Sequence, residues 1–539
     1  MVRFEMGKIF IKNATIVDGT KAARWLGNIA IEDDRIVREE GFVCDDTTII
    51  IDATGLTCTP GFIDTHSHSD VQVLIDPVLT PKICQGITTE ILGQDGVSVA
   101  PLPLRFKEEW RNYIKGLNGD SPELQWDWET TDRYLSLIEQ GKGCAANVGY
   151  LAPHGNVRME VMGLDNRQAT SLEIQQMCAV LERELAAGAI GLSSGLIYVP
   201  CAYCATDELI QLCKVVAKHN KPFVVHQRSE ADTIIKSMQE IFHIGKESGV
   251  HVHFSHFKIC GKRNLHYFKT MAQLLDNAKL EGISVSFDQY PYHAGSTTMT
   301  ALLPPWAQSG GSHKTLQRLR NAQVRKQIAN DIRKGIEGWD NFISFAGFDD
   351  IRITSVASLN NSNVAGKSLA ELGQMRNTGV LDAMFDLLLE EELAVSITTE
   401  FGTEREVAFF LQREEQNVCT DGLFGLKPHP RVYGTFARIL QNYVRETKSL
   451  TLEEAVWKMS GKAAQVFNLV DRGVLKAGKK ADVLLFDADA IVDHATYQDP
   501  IRFPTGFEVV IVNGVIVCRG GQQLDVTPGE VIRLRTNVN

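Results

Sequence analysis

Short apolar runs rich in β-branched residues recur along the middle of this chain, separated by longer stretches in which polar and apolar positions follow a helical period. Eight such runs, at residues 59–64, 88–92, 146–151, 190–193, 223–225, 250–254, 284–287 and 418–420, read as strands buried on both faces. Between them, Thr170-x-x-Glu173 has the form of a capping box opening a helix through Leu185, and Leu209, Cys213, Val216 and Ala217 mark one apolar face of the next. Repeated strand–helix units with eight strands predict a closed parallel (β/α)8 barrel of the TIM type. An open doubly wound sheet is the rival architecture, but it would spread the polar strand ends along a line instead of gathering them round one mouth.

The two ends of the chain follow a different idiom. Residues 9–17, 28–31 and 47–51 alternate as short strands, and the same pattern returns at 481–486, 508–512 and 515–517, the last two joined by Asn513-Gly514. Asn-Gly between apolar runs is a hairpin signal, because both residues tolerate positive φ. The expectation is a small β-sandwich built from residues 1–60 and 473–539, with the catalytic barrel occupying 61–472. The stretch 303–353, with Pro304-Pro305, Gly310-Gly311 and a charged helical run, is too long for a simple connection and reads as an insertion that lids the barrel.

At 539 residues, two domains are also what length demands, and 44% hydrophobic with 22% charged residues is ordinary globular composition. The formal charge of −11, without a basic run or basic-aromatic stripe, argues against nucleic acid as a partner. It also means that an anionic substrate needs local cations. Eleven cysteines without the dense spacing of a disulfide framework fit a reducing compartment. The opening MVRFEMGKIFIKNATIVDG has no signal-peptide pattern and no segment is a bilayer-length apolar run, so a cytoplasmic protein without a membrane partner is expected. A homo-oligomer is compatible with the sequence, which does not set the subunit number.

Chemistry gathers at the strand ends. In PGFIDTHSHSD, His66 and His68 share one face just past the first strand, and neutral imidazoles so placed grip a divalent ion. With fourteen histidines the H-x-H pattern alone is weak, and His251-x-His253 is a second instance. Position separates them: His251 and His253 open their strand at the far end of the barrel, whereas His256 and Lys258, in VHVHFSHFK, lie beyond it. His226 ends the fifth strand in FVVHQRSE, and Asp421 ends the eighth before Gly422. Alone, the first is more often a satisfied histidine and the second a turn; together, four strand ends converging on one point predict a metal-dependent hydrolase.

These motifs, with DQYPYHAGSTT, TDGLFGLKPHPRVYGTFARIL, GAIGLSSGLIYVP and RGVLKAGKKADVLLFDAD, resemble the amidohydrolase superfamily, and within it the N-acyl-D-amino-acid deacylases, or D-aminoacylases, over nearly the whole chain. The resemblance implies hydrolysis of an N-acyl-D-amino acid, a small-molecule substrate, to a carboxylate and a free D-amino acid. It implies zinc held by His226 and His256, with His66, His68 and Asp421 forming an adjacent, weaker metal position, and Asp421 acting as base on the water. The D over L preference rests on the resemblance alone.

The family places a cysteine ligand after the second strand. Here Gly93-Gln94-Asp95-Gly96 stands there, so Asp95 either replaces the thiolate with an oxygen ligand, widening the choice of divalent ion, or caps the next segment. Lys258 and Arg431 are the candidate cations for a substrate carboxylate. Tyr198, Tyr290 and Ser296 match family substrate positions, though such tyrosines are as often packing residues, and His154 lies at the same rim as a substrate contact or as support behind one. Two rivals share the fold. A cyclic-amide hydrolase of the hydantoinase or dihydroorotase kind typically carries a carboxylated lysine on the fourth strand, which GAIGLSSGLIYVP lacks; a non-catalytic scaffold protein would have lost ligands that are present here.

Overall fold

A computed structural model describes residues 7–534; residues 1–6 and 535–539 of the expected terminal domain lie outside it. Eight parallel strands form the barrel: β1 (Phe62–Asp64), β2 (Ile87–Leu92), β3 (Asn147–Tyr150), β4 (Leu192–Gly195), β5 (Pro222–His226), β6 (His251–Phe254), β7 (Val285–Gln289) and β8 (Gln416–Val418). β1 to β3 lie side by side, with a register shift between Phe62 and Ile63 against β2, and β4 to β8 pair without a shift. The cylinder closes through the parallel bridge Ser67↔Gly422 on one side and through the pairing of Ala152–Pro153, just past β3, with β4 on the other. Val531–Ile532, near the C-terminus, adds a further parallel strand to β3. Every residue of β1 to β5 is buried, which explains why these strands show no regular alternation of apolar and polar positions.

The helices follow from their caps and faces. Thr170 and Glu173 form a reciprocal capping box at the start of Ser171–Ala186. In Thr206–Lys218, Leu209, Cys213 and Val216 are fully buried against the barrel.

The run 59–64 is not one strand. Thr57–Pro60 belongs to the terminal sheet, Phe62–Asp64 to the barrel, and the chain turns between them at Gly61. A Cβ there would sit 2.0 Å from Thr88 Oγ1, so only glycine lets the two sheets approach so closely.

In the terminal sheet, Thr57–Pro60 pairs with Lys8–Ile16 on one side and with Val483–Phe486 on the other, joining strands from both ends into nine. Phe507–Val512 and Val515–Arg519 form the hairpin across Asn513-Gly514, with Asn513 at φ +46°. The edge strand Arg35–Val37 bonds back to Lys479, so the sheet rolls over a core shared by Ile11, Ile36, Val483 and Ile511.

Between β7 and β8 the excursion is larger than 303–353. It starts at Ala294–Thr298 and ends at Val395–Glu400, two strands that pair antiparallel with each other, the second also with Ile351–Val356. Helices including Phe342–Ala346 and Val380–Glu390 pack against this sheet in their own hydrophobic core.

Candidate active site

β1, β2, β5, β6 and β8 all deliver side chains to one point at the barrel mouth. His66 and His68 follow β1, His226 is the last residue of β5, and His256, Asp95 and Asp421 lie just beyond β6, β2 and β8. The last three have positive φ, +36° for His256, +57° for Asp95 and +46° for Asp421. Non-glycine residues reach this region only at a cost in strain, and three of them converging on one buried point mark a site whose geometry the rest of the fold imposes.

Asp95 stands between the histidines. Its Oδ2 is 3.7 Å from His66 Nε2 and 3.6 Å from His68 Nε2, and its Oδ1 is 3.6 Å from His256 Nε2. Oδ1 accepts no hydrogen bond, and no helix cap involves this carboxylate, so the ligand alternative is the one its orientation supports. Asp421 Oδ1 faces His66 and His68 at 3.6 and 3.3 Å. His226 Nδ1 is 2.9 Å from His256 Nε2, and Glu230, which the sequence reading passed over, approaches His256 Nδ1 at 3.2 Å and His226 Nε2 at 3.7 Å.

These groups fit a divalent cation. Both ring nitrogens of His66 and of His68, and Nε2 of His226, are buried without a hydrogen-bond partner, an expensive arrangement unless something else binds them. Two donors each about 2.1 Å from a tetrahedral ion lie about 3.4 Å apart, close to the 3.3–3.7 Å separations found here. Three overlapping sets, His66/Asp95/His256, His66/His68/Asp421 and His226/Glu230/His256, can each converge on one ion. The carboxylates dominate the electrostatics. Burial opposes charge on His68, but Asp421 and Asp95 outweigh it and raise its pKa to about 9. Burial pushes Asp421 up, yet Arg431 and the histidines hold its carboxyl well below the usual range.

Behind the ligands lies a buried polar layer. Lys82 Nζ contacts Asp64 Oδ2 at 2.7 Å, Glu90 Oε1 at 3.0 Å, and the hydroxyls of Ser67 and Thr420 at 2.9 Å each. One lysine thereby ties the ends of β1, β2 and β8, the strands that precede His66, Asp95 and Asp421. Asp288 on β7 accepts from the backbone N–H of His256 and lies 3.0 Å from His253 Nε2. His251 contacts Ser284 and Ser286, and neither it nor His253 joins a ligand set.

A cavity of about 30 Å³ sits over the cluster, and Thr297 and Phe342 of the insertion, with Phe401 just past it, form part of its wall. A larger cavity, about 950 Å³, lies within the insertion beside Arg325, Ile332 and Phe385 and touches none of the ligands. Lys258, Tyr198, Tyr290 and Ser296 line the small cavity. Lys258 Nζ is 2.7 Å from Glu230 Oε2 and 2.9 Å from His256 Nδ1; Tyr198 and Thr297 share a hydrogen bond of 2.8 Å, and the Ser296 hydroxyl donates to the Ile397 carbonyl.

Two expectations shift. Arg431 is fully buried beneath Tyr290, with Nη1 2.8 Å from Asp421 Oδ2 and Nη2 donating to the Ser296 carbonyl, so a substrate carboxylate would have to compete with Asp421 for it. His154 does not line the cavity: its ring bonds Ser194 at 2.9 Å and Glu208 at 2.8 Å, beside the Arg158–Glu208 ion pair.

The chain matches the model of the amidohydrolase family over residues 50–341 and 416–518. It is 31% identical to N-acyl-D-aspartate deacylase of Alcaligenes xylosoxydans xylosoxydans, over 97% of this chain and 94% of that protein. It is 32% identical to N-acyl-D-glutamate deacylase of the same organism, over 94% and 93%. Its structure is similar to N-acyl-D-glutamate deacylase from Bordetella bronchiseptica, solved with zinc and a phosphonate mimic of the tetrahedral intermediate; the TM-score is 0.81 and the identity 30%, covering 98% of this chain and 100% of that one.

Proposed function

The chain belongs to the amidohydrolase family, and from that premise we propose that it hydrolyses the amide bond of N-acyl-D-amino acids, with a bound divalent metal, to a carboxylate and a free D-amino acid. The observation that carries this reading is the set of buried histidine nitrogens without hydrogen-bond partners, spaced around Asp95 and Asp421 as ligands of a metal are.

Two neighbouring positions would hold metal, a firm one at His226 and His256 within reach of Glu230, and a weaker one at His66, His68 and Asp421, with Asp95 facing both. Zinc or a comparable ion supplies Lewis acidity: it polarises an amide carbonyl and lowers the pKa of water, typically from 15.7 towards about 7 on catalytic zinc. The chain supplies the proton transfers. Asp421 Oδ2 is fixed by Arg431, which leaves Oδ1 to accept a proton from the attacking water and return it to the leaving nitrogen. Lys258 supplies positive charge at the cavity wall for the substrate carboxylate, and Tyr198, Tyr290 and Ser296 frame its approach. A cavity of about 30 Å³ holds water but not an acylated amino acid, so loading requires the insertion's share of the wall to draw back.

No helix among the described residues is long and apolar enough to cross a membrane. All eleven cysteines are free, which supports placing the enzyme in the reducing cytoplasm.

The test is a screen of the metal-reconstituted protein against N-acetyl-D- and N-acetyl-L-amino acids. Release of free amino acid from the D series is expected. Turnover confined to the L series, or to cyclic amides, would overturn the reading.

A further inference from the structure

Overall identity does not say which amino acid the enzyme prefers, since the aspartate and glutamate deacylases are 31% and 32% identical to it. The cavity wall does. Lys258 is the only lysine or arginine among the described residues that line it, and its ammonium already sits 2.7 Å from Glu230. Leu117, Cys260, Phe342 and Phe401 form an apolar part of the same wall. They come from four separate places: the end of helix Lys107–Asn118, the loop after β6, the first residue of Phe342–Ala346, and the position just past Val395–Glu400. Each is 9% exposed or less, and Cys260 and Phe401 pack in one cluster with Tyr290. Phe342 and Phe401 also fall in the part of the chain, between residues 341 and 416, that the family model leaves unmatched.

An N-acylated aspartate or glutamate carries two carboxylates. One can use Lys258. The second would be buried without a cation against leucine, cysteine and phenylalanine, beside a site that already holds the acids Asp95, Glu230 and Asp421. Arg431 does not fill the gap, being fully buried, committed to Asp421 and absent from the cavity wall. A neutral apolar side chain meets the opposite situation, since it covers the same wall and leaves no charge unpaired.

We infer that the substrate is an N-acyl-D-amino acid with a neutral, apolar side chain, and that Leu117, Cys260, Phe342 and Phe401 determine this preference over the acidic derivatives. The inference rests on the deacylase reading.

The experiment measures kcat/KM of the metal-loaded enzyme for N-acetyl-D-leucine, N-acetyl-D-glutamine and N-acetyl-D-glutamate. Leucine is expected to exceed glutamate by about 100-fold, with glutamine between them because it matches glutamate in shape without its charge. A glutamate value equal to or above that of leucine overturns the inference and leaves the deacylase reading standing, whereas no turnover of any D derivative overturns both. The second arm uses Leu117→Arg and Phe342→Arg, each checked for wild-type metal content and melting temperature. Each cation is expected to raise the glutamate-to-leucine ratio about 10-fold, mainly through KM. If both variants fold, hold metal and leave the ratio unchanged, the assignment of the wall falls; if one does not fold, the other decides.

Discussion

Arg431 and Asp421 are joined by a buried ion pair, Nη1 lying 2.8 Å from Oδ2, while Oδ1 of the same carboxylate is turned toward His66 and His68. The arginine fixes the rotation of the base. Asp421→Asn keeps the shape and loses the proton acceptor, so kcat is expected to fall about 1,000-fold while metal content, measured by elemental analysis, stays within twofold of wild type. Near-normal turnover would remove Asp421 from the role of base.

Arg431→Lys keeps the charge but loses the planar fork that reaches Asp421 and the Ser296 carbonyl together. Partners that orient a group at a metal centre are typically worth 10 to 100-fold, and kcat should drop by about that factor. An unchanged kcat with a raised KM would mean that the arginine serves the substrate instead.

Asp95 gives a metal prediction that does not depend on turnover. Asp95→Ala deletes the carboxylate that faces three histidines, and competition with a chromophoric chelator should show metal affinity reduced at least about 10-fold. Equal affinity in the variant would return Asp95 to a structural role.

The strand positions were legible because each carries a short β-branched or small-residue run, and the four histidines because each stands at or just past such a run. Other features were hidden for identifiable reasons. Arg228-Ser229-Glu230 reads as a solvated turn; Ser229 and Glu230 are buried, and Asp340, 110 residues after Glu230, accepts hydrogen bonds from the Ser229 hydroxyl and the Glu230 backbone. Lys82 sits in a short helix with nothing local to mark it, and the only clue was a charge, Glu90, inside a strand whose every residue is buried. The insertion's strands, AGSTT and VSITTE, are rich in serine and threonine, so they lack the apolar signal that revealed the barrel. The sequence placed Arg431 near the site but could not show its partner, because a sequence reveals a cation without revealing which anion lies against it.

Removing Lys82 strands two buried acids. Lys82→Met should lower unfolding free energy by roughly 3–5 kcal/mol in a denaturant titration, and Glu90→Gln added to it should restore part of the loss. A loss below about 1 kcal/mol would show that the two acids do not need the lysine.

His154 links stability to pH. Burial opposes its charge, but Cys201 and the Glu208 carboxylate outweigh this and raise its pKa to about 9, above the 6.5 of a free imidazole. Because the folded state holds the proton more tightly, the stabilisation is complete below about pH 6.5 and is lost as pH rises through about 9, with an upper bound of about 3 kcal/mol. His154→Gln should flatten the fall in melting temperature over that interval. If the fall is equally steep in the variant, another group is responsible.

The strand Thr57–Pro60, one residue upstream of β1, is held between Lys8–Ile16 and Val483–Phe486, more than 400 positions downstream. Such a pairing has a timetable. While the chain is being synthesised, the segment leading to His66 and His68 has only one of its two neighbouring strands until more than 400 further residues have been made. Order at the barrel mouth therefore waits on a long-range pairing, and a chain lacking Val483–Phe486 cannot complete the sheet from which its first two metal-facing histidines emerge.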